Sequence, residues 1–287
     1  MKRDLLVTIK ERIPTFSKGQ KLIANYVLEH YEKVAYMTAA KLGNIVGLSE
    51  STVVRFASEL GFDGYPDFQN SLKELTRNML TSVQRIDLTN DLIGDSDLLE
   101  KVLVSDAEKI RHTLDTIDRE SFNAAIKKIV SAKNIYILGV RSSSSLAGFL
   151  NFNLRMVLDN VKTVQATSGS EMFEHIIHLS KDDVLIVISF PRYSQRVINA
   201  AEYAKSVGAN VIALTDSEHS PIAAYADQLL TAESDMVSYV DSLVAPLSII
   251  NAIIVAVSRE RKELFYDQLK KLETIWEEYD VYKKDRV

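Results

Sequence analysis

Residues suited to holding an anion gather in two stretches of this 287-residue chain. In the first, residues 135–147, an apolar run ends in Gly139 and opens, after Arg141, into the four serines Ser142, Ser143, Ser144 and Ser145. Leu146, Leu150 and Leu154 then recur at helical spacing. A strand, a sharp turn and a helix start would gather serine hydroxyls and unpaired backbone N–H groups at the positive end of a helix dipole, where a phosphate or carboxylate is stabilised. Alone, the run reads more readily as a helix N-terminus capped by serine with no ligand. The second stretch, residues 184–194, weighs against that alternative. It is another apolar run, ending in Ser189 and followed by Pro191, Arg192, Tyr193 and Ser194. Two guanidiniums among hydroxyls suit a phosphate or carboxylate, which arginine pairs in a bidentate manner.

The elements around these stretches alternate. Apolar runs at 135–138, 184–188 and 211–214 read as strands buried on both faces, with shorter candidates at 163–165 and 228–231. Helical patterns lie between them at 143–158, 171–178 and 194–207. This is the pattern of a doubly wound parallel sheet, whose ligands bind at the carboxyl ends of the strands. The segments 141–145, 189–194 and 215–220 should therefore converge there. Neither a G-x-G-x-x-G fingerprint nor a Walker A lysine accompanies them. No cofactor and no metal is expected; His175 and His178, three apart on a short helix, read as packed or solvated.

The first 77 residues read as all-helical. Leu5, Ile9 and Ile13 mark a helix stopped by Pro14; Ser17 and Gln20 have the form of a capping box; and Leu22, Ile23, Tyr26, Val27 and His30 line one face of the helix that follows. A third helix after Thr38 turns Ala39, Leu42 and Val46 inward and ends at Gly47. Ser49 is placed to cap a fourth, with Val53, Phe56, Ala57 and Leu60 inward, and Pro66 opens a fifth. Gly43, Gly47 and Val53 fall where a helix-turn-helix needs a close helix crossing, a tight turn and an apolar anchor. The outer face of the fourth helix offers Ser51, Thr52, Arg55 and Ser58, with Ser49 at its start, donors able to reach base edges or phosphates in a major groove. Glu59 should face away, and Tyr65, Gln69 and Lys73 are candidates for backbone phosphates.

Composition bounds the rest. Residues 1–80 hold 11 Lys+Arg and 9 Asp+Glu, a net +2, and the remainder 23 against 30, a net −7, as a small DNA-reading head on an acidic body would. The absence of cysteine excludes disulfides and thiolate metal sites and agrees with a reducing compartment. The short apolar run near the N-terminus is far from a signal peptide, and the apolar stretch 243–257 is too short for a bilayer, so a cytoplasmic protein without a membrane partner is expected.

The motif LGNIVGLSESTVVRFASELGFDGYPDF, within residues 1–77, resembles the N-terminal helix-turn-helix domain of the RpiR family of bacterial transcription regulators, and residues from about 120 to 260 resemble its SIS (sugar isomerase) domain. The expected fold is thus an all-α helix-turn-helix domain at 1–77, a linker and bridging helix at 78–118, an α/β doubly wound parallel-sheet domain of SIS type at 119–261, and a C-terminal helix at 262–287 that packs against a subunit. The resemblance implies a homodimer or homotetramer that binds operator DNA and whose second domain senses an anionic metabolite, often a phosphosugar. It puts the family's first glycine-and-serine loop on Gly139, Arg141, Ser143 and Ser144. The second loop falls on Ser189, Pro191, Arg192 and Ser194, with Tyr193 between. Arg141 and Arg192 stand where the family carries glycine, and Pro191 where it carries a hydroxyl.

Sugar isomerases share the second domain, so a phosphosugar (aldose-ketose) isomerase is the alternative. Its general base would be sought among Glu171, Glu174, His175 and His219. None of them stands in a distinguishing motif, and catalysis has no use for a helix-turn-helix.

Overall fold

The computed structural model describes residues 5–79, 83, 86, 97–165, 168–234 and 241–282; most of the linker expected before the bridging helix, with the turn residues Asn90, Gly94 and Asp95 that mark it in the sequence, lies outside them. The chain forms two compact units, Met1–Gly94 and Asp95–Val287.

The first unit consists of α1 (Leu5–Arg12), a 3-10 turn at Ile13–Thr15, α2 (Lys18–Val34), α3 (Ala39–Val46), α4 (Glu50–Glu59) and α5 (Tyr65–Met79). The capping box starts α2 as its sequence dictates: Ser17 N–H donates to Gln20 Oε1 at 2.9 Å and Gln20 N–H to Ser17 Oγ at 3.4 Å. Ile9, Ile23, Val27, Leu42, Val53, Phe56, Phe68 and Leu72 fill the core. Phe56 meets Phe16 and Phe68 edge to face, with ring centroids 5.4 and 5.9 Å apart. Leu22, expected inward, is 49% exposed. The face of α2 that packs is instead defined by Ile23, Ala24, Val27 and Val34, a stripe that turns Leu22 to its edge.

In the second unit, α6 (Leu98–Thr116) and α7 (Arg119–Ser131) precede β1 (Ile135–Gly139), α8 (Ser142–Leu154), β2 (Val161–Thr163) and α9 (Gly169–Ile176). Then come β3 (Val184–Ile188), α10 (Gln195–Ser206), β4 (Asn210–Thr215), β5 (Gln228–Thr231), α11 (Val244–Glu260) and α12 (Lys262–Glu278). The sheet is parallel throughout, in the order β2-β1-β3-β4-β5. Successive strand residues point to opposite faces. Ile135, Ile137, Ile186, Ile188 and Ile212 meet α7, α8 and α11 on one face. Tyr136, Leu138, Leu185, Val187 and Val211 meet α9 and α10 on the other. Burial on both faces is what makes these strands continuous apolar runs.

The second strand pairs two residues earlier than expected, Ile135 opposite Val161, and continues through a bond from Val164 N–H to the Ile137 carbonyl at 2.9 Å. Burial of Val161, not the apolar look of 163–165, sets its start. The apolar stretch after Leu243 is a helix, with Pro246 in its first turn and Ile249, Ile250, Ile253 and Val257 buried. α6, read as a bridging helix, packs on α11 and is tied to the segment after β5: Thr113 Oγ1 accepts from Glu233 N–H at 2.9 Å, and Ser242 Oγ donates to Asp106 Oδ1 at 2.6 Å.

At the amino end of the sheet, burial acts to raise the Asp183 carboxyl, but hydrogen bonds from the Asn134 amide (2.7 Å), the Ser180 hydroxyl (2.7 Å) and the Ser180 N–H (2.8 Å) outweigh it. They hold the group below the usual carboxylate range. No helix among the described residues is long and apolar enough to cross a membrane.

Candidate functional site

In the first unit the helix crossing is fixed by contact. A Cβ on Gly43 would stand 2.7 Å from the Leu48 carbonyl oxygen, so only glycine lets α3 approach the turn this closely. Gly47 closes α3 at φ 71°, and Leu48 N–H returns to the Gly43 carbonyl at 2.8 Å. Val53 is fully buried beneath α4. Ser49 occupies the N-cap position but makes no cap bond to the backbone, contrary to expectation. Its hydroxyl meets those of Ser51 (3.0 Å) and Thr52 (2.9 Å) instead, because a hydroxyl cluster competes for the same oxygen.

Ser51, Arg55 and Ser58 are exposed at i, i+4 and i+7 on one face of α4, with Thr52 half-buried beside them. Arg55 Nε donates back to the Ser51 carbonyl at 3.3 Å, and Ser58 Oγ to that of Val54 at 3.4 Å. Val54 is 37% exposed next to Arg55. Glu59 is turned away as expected: Arg12 Nη1 donates to its carbonyl at 2.7 Å and Nη2 to Oε1 at 3.4 Å.

The phosphate role expected of Tyr65 and Gln69 meets a correction. Tyr65 is buried, its hydroxyl donating to the Met37 carbonyl at 2.9 Å, and Gln69 Nε2 donates to the same oxygen at 2.7 Å. Lys73 Nζ lies 5.9 Å from the Tyr36 ring centroid. The three side chains brace the link between α2 and α3, whose Met37 carbonyl has no helical partner of its own. Burial pushes the Tyr65 phenol up to about 12.

In the second unit the strand register decides what meets. Gly139 pairs with Ile188, so the loops that follow β1 and β3 leave neighbouring strands at the same edge. A Cβ on Gly139 would stand 2.3 Å from the Ser143 carbonyl oxygen; the first turn of α8 presses directly on the strand end. Val140 O accepts from Ser143 N–H at 3.2 Å, and Arg141 sits at the first corner of that turn with φ 54° and ψ −127°. Ser143 is buried, Arg141 exposed, and Ser144 Oγ donates to the Arg141 carbonyl at 2.5 Å. The cap of α8 is therefore Arg141, with no side-chain bond.

In the second loop Ser189 is buried and its N–H donates to the Leu214 carbonyl at 3.1 Å. Arg192 is exposed at φ 65°, and Ser194 precedes α10 without capping it through its side chain. Tyr193 reaches across to β4, its hydroxyl donating to Asp216 Oδ1 at 2.8 Å; Thr215 Oγ1 donates to the same oxygen at 3.2 Å. Asp216 lies in the segment 215–220 expected to converge here, though nothing in the sequence singles it out from its neighbours. Glu174 and His175 are exposed on α9, and Glu171 lies at that helix's N-terminus, its N–H bonded to Ser168 Oγ at 3.1 Å.

A glycine-tightened helix-turn-helix in one unit and a doubly wound parallel sheet with paired serine-bearing loops in the other define a DNA-binding regulator with an appended α/β domain. The helix-turn-helix domain of the rpiR family matches residues 3–78 and the SIS domain residues 128–256. The chain thus joins a helix-turn-helix domain of the rpiR family to a SIS domain, in that order. It is 25% identical over 282 residues to the HTH-type transcriptional regulator HexR of Escherichia coli, covering 94% of this chain and 93% of that one. An uncharacterised HTH-type regulator of Clostridium perfringens is 26% identical over 219 residues, 76% of this chain and 77% of the relative. Among solved structures, the fold is similar to that of the Vibrio vulnificus NanR protein complexed with ManNAc-6P, with a TM-score of 0.60 at 22% identity, covering 98% of this chain and all 100% of that chain. The relatives are transcriptional regulators, and the isomerase alternative gives way to a non-enzymatic role.

Proposed function

We propose that the chain is a cytoplasmic, homo-oligomeric regulator that reads an operator through α4 and senses an anionic metabolite, a sugar phosphate or related carbohydrate derivative, through the loops after β1 and β3. One observation carries the sensing half: the pairing of Gly139 with Ile188 brings two loops rich in serine and arginine to one edge of the sheet. Arg141, Ser143 and Ser144 serve the ligand from the first loop, and Ser189, Arg192, Tyr193 and Ser194 from the second. The NanR protein that shares this fold is complexed with ManNAc-6P, which supports a phosphorylated ligand.

Ser49, Ser51, Thr52, Arg55 and Ser58 face the major groove, Arg55 as the bidentate donor and the hydroxyls as short contacts to bases or phosphates. Two heads of a homodimer, or two pairs in a homotetramer, read half-sites related by two-fold symmetry. Ligand changes the spacing or mobility of the heads, and shifts DNA affinity only as far as its own affinity differs between the two states.

A thermal-shift screen of sugar phosphates and carboxylates tests the sensing half. A stabilising compound that loses its effect on changing both Ser143 and Arg192 to alanine supports it. No such compound, or one indifferent to the double change, removes it. Conversion of an aldose phosphate to its ketose by the purified protein would restore the isomerase.

A further inference from the structure

Helix α6 carries an apolar stripe that its own unit leaves uncovered. Leu103, Ala107, Ile110, Leu114 and Ile117 follow one another at spacings of four, three, four and three, the repeat of a helix–helix seam. All but Ile117 are exposed, Leu103 at 58% and Leu114 at 56%. The residues of α6 that its own unit does bury, Lys109 and Thr113, are others. The stripe runs into a groove of about 390 Å³, with Ile110, Leu114 and Phe122 on its α6 and α7 walls and Ile249 and Ala252 on α11. Arg119 lines the groove where α6 gives way to α7.

The shape of this surface selects its occupant. From Leu103 to Ile117 the stripe is about 21 Å long at 1.5 Å per residue. A compact small molecule would fill the groove and leave Leu103 and Ala107 in water, whereas an apolar helix of matching repeat covers both. α6 is itself such a helix. Laid antiparallel on a copy of itself about a two-fold axis, it sets Leu103 opposite Leu114 and the small Ala107 opposite the larger Ile110. The same register brings Glu100, exposed in the first turn of α6, to the end of the groove that Arg119 lines, so opposite charges meet at both ends of the pair. A parallel pair would set Glu100 against Glu100.

We propose that this stripe and groove are the contact between two copies of the chain, α6 lying antiparallel on α6. It rests on the homo-oligomeric reading above and names the surface that makes it.

The chain has no cysteine, so introduced thiols report the contact without background. Leu103→Cys and Leu114→Cys are made separately in the full-length protein, mixed, equilibrated and oxidised. The mixture forms a covalent dimer joining position 103 of one copy to position 114 of the other, as peptide mass spectrometry maps it. Neither variant alone does so, because like positions stand about 16 Å apart along the axis. Sedimentation equilibrium gives a second reading. Leu103→Glu and Leu114→Glu, at exposed positions and with helix content unchanged by circular dichroism, each weaken association about a hundredfold, since the two-fold introduces every change twice. No mixed dimer, self-linking of either cysteine variant, or association indifferent to both glutamates overturns the α6 contact while the oligomer stands. A parent chain that sediments as a monomer at micromolar concentration overturns both readings.

Discussion

The Tyr193 hydroxyl donates to Asp216 Oδ1 at 2.8 Å, fastening the loop after β3 to the end of β4. This bond sets how far the second arginine-bearing loop stands from the sheet. Tyr193→Phe removes this donor from Asp216, lowering the stability of the second unit by about 1 kcal/mol, a shift a thermal melt resolves. An unchanged melting temperature would show that the loop does not depend on it.

Gly43 is the residue on which the helix-turn-helix closes. Gly43→Ala puts a Cβ 2.7 Å from the Leu48 carbonyl oxygen, and backbone has to move. The head loses about 1–3 kcal/mol through overpacking, outweighing the helix propensity gained from alanine. Urea unfolding followed by circular dichroism measures it; a stabilised variant would disprove the crossing described.

Arg55 is exposed on α4 and, among the described residues, holds only a bond along its own helix. Arg55→Ala therefore leaves the fold intact while weakening operator binding by about 1–3 kcal/mol. Gel-shift affinities with unchanged melting would place it in the recognition set; equal affinities would remove it.

Tyr65 gives the contrasting result. Its hydroxyl serves the Met37 carbonyl, which Gln69 also reaches, so Tyr65→Phe costs no more than about 1 kcal/mol of stability and leaves operator affinity and its salt dependence unaltered. A reduced salt slope would reinstate the phosphate contact.

Asp183 makes stability depend on acid. Its carboxyl is held below the unfolded value of about 3.9 by hydrogen bonds to the charged form. The contribution is present above that value and is lost as pH falls through the lower folded one. Thermal melts taken downward from pH 5 should steepen their decline below about pH 4, and Asp183→Asn should flatten it.

Much of the fold was legible because burial imposes periodicity. The runs at 135–138, 184–188 and 211–214 had to be strands covered on both faces, and the helices of the head declared themselves through Ser17, Gln20, Pro14 and Gly47. Where competition between groups decides, the sequence misled. Ser49 looks like a cap, yet its hydroxyl goes to Ser51 and Thr52. Tyr65 looks like a surface donor, yet α5 buries it. Asp216 carries no motif, and its role appears only when Tyr193 reaches it from another strand.

For the candidate site, sequence alone determined which residue types end each strand: glycine, arginine and serine after β1, serine, arginine and tyrosine after β3. Local spacing suffices for that, since a strand, a turn and a helix start are each specified by neighbours in the chain. Only the tertiary structure decided that these ends adjoin, through the register of Gly139 with Ile188, and that Arg141 and Arg192 hold backbone conformations proper to glycine. Those facts depend on pairing between segments some 50 residues apart and on the press of α8 against β1, and no local pattern encodes either.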